Sequence, residues 1–502
     1  MISGIRAVRV ALTLLYLSAL CFAAEDAVSQ ARERVRADKP EEAIQILRDA
    51  VKKDPADAET SAYLVHVLIG QEDFAGAEAE ATRALAVKPD SAALHVAAGD
   101  LRFRQGLLIK AEAEYKAAFK IDPKNARALY GIARIFDAAS LQAKALNLYR
   151  AAAQAAPDDP VVRSMTEREE ARTAANVAKW KEEVAKAEDK NSRRMRYLSR
   201  QIAIAEAIGE RRPFELATPY RAYSLHILPL MNGQALTSFG MPIQVNGVKT
   251  MLELDTGAGG ILINEKTAAR AGVRKLAPYQ VSGLGNQGPV EGYLGYAEHI
   301  NIGDLDFKNC LVEVTPQSEG QSDGLIGTDV FARFLVTIAF SSGRLELSPL
   351  PGPAWDGVTA VDRYTGPELK GFAQVFRFGH WMMIPTKVSD DSEGLFLIDT
   401  GAVRTLVSTN LAPNLTSVRD NDRVRIKGLA GNVRKVYSAD DLTLEFATFR
   451  QKNLDVITVD LSKESRHMGV EVSGILGFSV LRMFNLTLDY RDGMVKFDYL
   501  NH

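Results

Sequence analysis

The stretch LELDTGAGG, residues 252–260, places Asp255 at the end of a run whose alternating Leu252 and Leu254 read as a strand entering an apolar core. A lone buried carboxylate is costly unless it is neutralised, hydrogen-bonded or paired, so this aspartate calls for a partner elsewhere in the chain. One candidate stands in FLIDTGAVR, residues 396–404, where Asp399 has the same setting.

The duplication reaches further than the two acids. GLIGTDVFARFLVTIAFSSGRLELSPL, starting at Gly324, aligns with GILGFSVLRMFNLTLDYRDGMVKFDYL, starting at Gly474, over 27 residues without a gap. Seven positions are identical, including both glycines of Gly-x-x-Gly, Phe334 with Phe484, and Gly343 with Gly493. The acids are offset by 144 residues and these blocks by 150. Between them lies a third shared feature, Gly283-Leu284-Gly285-Asn286 in one copy and Gly428-Leu429-Ala430-Gly431-Asn432 in the other, 28 and 29 residues after the respective acid. From Pro213 onward short alternating apolar runs are punctuated by Gly, Asn and Asp, which predicts β-hairpins.

On these residues, the region from about 220 to 502 resembles two retropepsin-like (pepsin and retroviral-type) aspartic protease lobes fused in one chain. That family's marks are an Asp-Thr/Ser-Gly turn, a glycine-bearing flap hairpin, and an apolar-apolar-Gly strand beneath the turn, here Leu325-Ile326-Gly327 and Ile475-Leu476-Gly477. The resemblance implies an all-β two-lobed fold in which Asp255 and Asp399 form a catalytic dyad that activates water against a peptide carbonyl. It also implies that the Thr256 and Thr400 hydroxyls cross between lobes to the opposite backbone. Gly283, Leu284, Gly285 and Asn286, with Gly428, Leu429, Ala430 and Gly431, would then be flap residues over a polypeptide substrate. Physical chemistry asks for the same pairing, because two carboxylates about 3 Å apart cannot both ionise and a shared proton relieves the burial cost. Gly257 and Gly401 are read as permitting a turn that brings backbone N–H groups to each carboxylate.

Rival chemistries have weaker footing. GLGNQG at 283–288 matches a dinucleotide loop in spelling, but Pro289 and a β-like GYLGYAEHINIG follow where a helix would have to open. The seven histidines are scattered without His-Glu-x-x-His, the acidic run Asp390, Asp391 and Glu393 reads as a hairpin turn, and Ser479 lacks the last glycine of a nucleophile elbow. No metal and no cofactor are expected. Two positions depart from the family pattern: Gly259 and Val403 stand where active relatives often carry a polar residue that holds the substrate backbone. They favour an alternative in which the β-lobes hold peptide without cutting it and the chain is a scaffold. Arg404 either reads an acidic substrate side chain or faces solvent.

The N-terminal third carries a different repeat. Pro55, Pro89, Pro123 and Pro157 are 34 residues apart, as are Ala43, Ala77, Ala111 and Ala145, and Ala50, Ala84, Ala118 and Ala152, with Leu47, Tyr115 and Tyr149 between the two alanine sets. This resembles the tetratricopeptide repeat, each proline closing the second helix of a hairpin, although Ser61, His95 and Leu129 stand where the pattern favours tryptophan. The resemblance implies a concave face for a peptide or partner protein; a spacer or dimerisation surface is the other reading. The predicted organisation is a signal peptide over 1–23, four repeats over 24–159, capping helices over 160–212, and lobes over 213–351 and 352–502. Arg193, Arg194, Arg196 and Arg200 cluster within the capping region, either as a solvated helix face or for an acidic partner.

Composition sets the remaining bounds. At 502 residues the chain is too long for one ordinary core, and its net charge of −2 argues against general nucleic-acid binding. Arg6 and Arg9 precede the apolar segment Val10 to Phe22, and acidic Glu25 and Asp26 follow, the pattern of a secretory signal with no membrane span left after cleavage. Cleavage after Ala23 puts Cys21 at the −3 position, whereas lipidation at Cys21 would need a small residue where Leu20 stands. The expected location is periplasmic or extracellular. The mature chain keeps one cysteine, Cys310, so stability must come from packing, with Cys310 as a small core residue.

Overall fold

A computed structural model describes residues 27–500 except 160, 163–173, 191, 282, 284–288, 317–321, 358, 390–391, 412–417, 421–426, 429–430, 433–435, 440–441 and 454–455. The signal-peptide expectation lies outside the described residues. The chain divides into two compact units, one made of the helical repeats apart from residues 137–143, and one containing those residues, the β-lobes and the two helices that precede the lobes.

In the first unit, helices α1 (Pro40–Lys53), α2 (Ala58–Gly70), α3 (Phe74–Val87), α4 (Ala92–Arg104), α5 (Leu108–Ile121), α6 (Ala126–Ala138) and α7 (Gln142–Ala155) follow one another with short turns. The four periodic prolines fall just beyond α1, α3, α5 and α7, where a residue without an N–H can no longer disturb the helix. The periodic alanines mark the close approaches: Ala43, Ala77, Ala111 and Ala145 are buried, as are Ala84, Ala118 and Ala152. Side chains of Asp57, Asp73 and Ser91 accept backbone N–H bonds at the starts of α2, α3 and α4. The departures from the tryptophan position are met by neighbours. Arg83 donates to the Ser61 hydroxyl at 2.9 Å, His95 pairs with Glu114 at 2.7 Å, and Leu129 packs with Ala152 and Val162.

The second unit opens with α8 (Ala174–Lys186) and α9 (Arg193–Ile208), which clasp Trp180 between Met195 and Leu198. Gly209, at φ +62°, ends α9. Within the arginine cluster, Arg194 forms an ion pair with Glu183 and Arg200 lies over the Tyr279 ring.

Each lobe is a twisted sheet built round the same crossover. In the first, β1 (Leu228–Asn232), β2 (Ala235–Val245) and β3 (Val248–Asp255) form a meander, followed by β4 (Ile261–Asn264), β5 (Arg274–Val281), β6 (Val290–Ile302), β7 (Leu305–Thr315) and β8 (Gly324–Gly327). Strand β8 inserts between β3, parallel, and β4, antiparallel. In the second lobe, β11 (Phe376–Phe378), β12 (Trp381–Val388) and β13 (Ser392–Ile398) repeat the meander, and β15 (Gly474–Leu476) inserts between β13, parallel, and β14 (Leu406–Ser408), antiparallel. Glu393 lies on β13 opposite Lys387; Asp390 and Asp391 are outside the described residues. Between the lobes, β9 (Phe334–Ala339) and β10 (Arg344–Pro349) join β16 (Phe484–Asp489) and β17 (Met494–Tyr499) in one six-stranded sheet. Those four strands lie in the two copies of the gapless 27-residue repeat, so the aligned segments meet at the lobe interface. Phe334, Val336 and Ile338 with Phe484, Leu486 and Leu488 are buried there. Cys310 on β7 is fully buried.

Candidate active site

Strand β3 buries Leu252 and Leu254 and delivers Asp255 at its end, with β8 alongside so that Ile326 faces Leu254 and Gly327 faces Asp255. Strand β13 does the same for Asp399, whose N–H donates to Leu476 O on β15 at 3.1 Å. The two turns meet. The carboxyl groups of Asp255 and Asp399 come within each other's hydrogen-bonding reach. Each Oδ1 also accepts two backbone N–H groups, from Gly257 at 2.7 Å and Ala258 at 3.1 Å in one lobe, and from Gly401 at 2.9 Å and Ala402 at 3.0 Å in the other.

The threonines form a closed exchange beneath the acids. Thr256 Oγ1 donates to Ile398 O at 2.8 Å and accepts the Thr400 N–H at 3.0 Å; Thr400 Oγ1 donates to Leu254 O and accepts the Thr256 N–H, both at 3.0 Å. Both threonines are buried, so these four bonds fix the acid turns relative to one another where no water competes.

Gly257 and Gly401 are glycine for a reason of space. A Cβ on Gly257 would lie 2.7 Å from Asp399 Cγ, and one on Gly401 would lie 2.5 Å from Asp255 Cγ. Neither residue adopts a positive φ. The close approach of the two carboxyl groups, rather than backbone conformation, demands the missing side chain.

A family model described as aspartyl protease matches residues 241–330 and 384–480, one segment around each acid. The C-terminal part of the chain carries a retropepsin-like aspartyl protease domain. Models described as tetratricopeptide repeat match residues 34–101 and 110–160 ahead of it. Two solved structures described as crystal structures of MamA resemble the chain at 17% and 18% identity, covering 27% and 25% of it and 74% of each of those chains, with a TM-score of 0.22 in both cases. No curated relative matches.

In the protease-like domain the flap expectations fall partly outside the described residues. Strands β5 and β6 pair as far as Val281 with Val290, which places Gly283 just beyond the end of a hairpin, while Leu284, Gly285 and Asn286 are not among the described residues. In the second lobe Gly428 pairs with Gly431 in a short hairpin, and Leu429 and Ala430 between them are not described.

Burial raises the proton affinity of both acids, and Asp399 is held well above the ordinary carboxylate value because the Asp255 charge and hydrogen bond add to the effect. The turn N–H groups pull in the opposite direction by favouring the charged form of each. Two carboxyl groups so placed titrate as a pair, with apparent values that belong to neither alone.

Around this pair are residues that carry no recognisable motif. His380, in the turn before β12 of the second lobe, and Trp381, the first residue of that strand, reach the acid turn of the first lobe, where Trp381 Nε1 donates to Gly257 O at 2.7 Å. Asp329 accepts the Gly260 N–H at 2.9 Å. The sequence signal for them lies in comparing the two copies: Asp329 aligns with Ser479, and the ladder beside each acid sets Pro385 level with Pro242 and so His380 and Trp381 level with Thr237 and Ser238. Val403 and Arg404 of the second turn are exposed. Among the described residues no cluster of three or more His, Cys, Asp or Glu is arranged to hold a metal ion, and no helix is long and apolar enough to cross a membrane.

Proposed function

We propose that this protein is an aspartic endopeptidase acting as an internal pseudo-dimer, with the dyad Asp255 and Asp399 as its catalytic residues. The observation that carries the reading is the meeting of two buried carboxyl groups, each against the other lobe's acid turn and each oriented by two backbone N–H groups of its own turn. Such a pair holds one proton and one negative charge. A water seated between the carboxyl groups loses a proton to the ionised partner and attacks the peptide carbonyl carbon, while the protonated partner donates to the carbonyl oxygen. Collapse of the tetrahedral species expels the amine, which takes a proton from the dyad. Thr256 and Thr400 keep the turns in register, and the hairpins at Gly283 and Gly428 close over the chain being cut.

Tetratricopeptide repeats are generally protein-interaction modules, and here the solenoid recruits the substrate or a partner. The basic-then-apolar N-terminal segment supports export, so the proposed site of action is the periplasm or the exterior.

Incubating the purified protein with an unfolded polypeptide in 18O-labelled water tests the reading. Each new C-terminus should gain one label without an acyl intermediate that amines can trap, and Asp255→Asn and Asp399→Asn should each abolish cleavage. Unimpaired cleavage in either variant, or an intact substrate at every pH from acid to neutral, refutes it.

A further inference from the structure

The two lobes are copies, so differences around the dyad stand out. At the turn joining β1 to β2, Asn232 pairs with Ala235; at the turn joining β11 to β12, Phe378 pairs with Trp381. Both turns open with a glycine at positive φ, Gly233 and Gly379. The first turn leaves Gln234 and Ala235 exposed. Its counterpart is laid on the opposite lobe. His380 lies beside Trp381, whose Nε1 donates to Gly257 O, and packs on Gly259 so closely that a Cβ there would fall 2.5 Å from its Nδ1. That contact accounts for glycine at position 259, where the aligned residue is Val403.

Two carboxylates bear on the imidazole. The charges of Asp329, which is fixed by the Gly260 N–H, and of Asp255 both act on it. Arg377, on the same hairpin, donates to Gly379 O at 3.1 Å and to Tyr490 O, and its charge faces both Asp329 and His380. Tyr490 closes the group through its hydroxyl, 2.6 Å from Thr328 Oγ1. His467 meets the Trp381 ring. On the Asp399 side the corresponding positions are Thr237, by the ladder register, with Val403 and Ser479, and none of the three carries a charge.

We propose that His380 is a positioning residue that breaks the symmetry of the dyad: delivered by one lobe onto the acid turn of the other, it makes Asp255 the aspartate that carries the negative charge and leaves the shared proton on Asp399. The inference rests on the dyad reading above and assigns the roles within it, Asp255 as base toward water and Asp399 as acid toward the carbonyl oxygen. An imidazolium beside one of two otherwise equivalent carboxyl groups favours ionisation of that one. Burial lowers the proton affinity of His380, while Asp329 and Asp255 act to restore it.

The test follows the seven histidine signals of the 15N-histidine-labelled full chain as a function of pH, with His380→Gln identifying the signal of interest and His380→Asn serving should that variant fail to fold. In Asp255→Asn the His380 midpoint should fall by at least about half a pH unit, and in Asp399→Asn it should move less than half as far. Equal movements in the two variants, or none, overturn the proposal. In the cleavage assay His380→Gln should shift the acidic limb of kcat/KM to higher pH, whereas Gln234→His should leave it in place; a His380→Gln profile that overlays the parent also overturns it. If the parent protein cleaves nothing, the protease reading falls, and the histidine titration still decides whether His380 is tied to Asp255.

Discussion

Thr337 and Thr487 stand opposite each other in the antiparallel pairing of β9 with β16, their hydroxyl oxygens 2.9 Å apart. They are one of the seven identities in the gapless alignment, so each residue meets its own counterpart and the pseudo-twofold axis runs between them. Thr256 and Thr400, also counterparts, exchange hydrogen bonds at the acid end of the same axis. Replacing Thr487 by Val leaves the partner hydroxyl without its bond. The expected loss in urea unfolding is about 1 kcal/mol, and the double variant with Thr337→Val should lose less than the sum of the single changes.

Thr256→Val and Thr400→Val each remove two bonds of the buried exchange and strand a backbone N–H and a carbonyl. Each should cost about 2 kcal/mol of stability. Turnover should fall with KM little changed, because the acids lose their relative orientation while the substrate surface is untouched. Thr→Ser at either position keeps the hydroxyl and should recover most of both quantities. Thermal unfolding and steady-state cleavage rates check the pair of effects.

A methyl group at position 257 or 401 would occupy the space of the opposite carboxyl group. Gly257→Ala and Gly401→Ala should therefore force the dyad apart and lower kcat by roughly 100-fold, the cost usual for a displacement of about 1 Å at reacting groups. Circular dichroism should show the fold retained. Undiminished activity in either variant would mean that the carboxyl groups do not need this contact.

Glu313 on β7 gives a pH signature separate from catalysis. Burial pushes it from the ordinary 4.5 to about 7, against the hydrogen bond from Tyr279 and the nearby Arg200 charge. A carboxyl whose folded-state value is raised contributes stability that is fully present below pH 4.5 and is lost as the pH climbs from 4.5 toward 7. Glu313→Gln mimics the protonated form. It should match the parent at acid pH and exceed it by on the order of 2 kcal/mol at pH 8, read from urea unfolding at both values.

Legibility in the sequence tracked repetition. The 34-residue spacing of prolines and alanines located the helical hairpins, because a missing N–H and a missing side chain have local consequences that recur with the period. The doubled Asp-Thr-Gly and the gapless block gave both acid turns and the sheet that joins the lobes. Gly257 and Gly401 were legible as turn residues, but the space they leave for the opposing carboxyl group needs both lobes in place. His380 was illegible for a related reason. Its neighbours Gly257, Gly259 and Asp329 are brought to it from another lobe, and a contact between copies has no spacing of its own in a linear chain.

The proposed chemistry needs one proton shared by two carboxyl groups, and neutron diffraction from the deuterated protein at mildly acid pH measures that proton directly. A single deuteron within hydrogen-bonding reach of both acids, bonded to Asp399 on the side away from His380, is the predicted result. Two deuterons, none, or carboxyl groups too far apart to share one would contradict it.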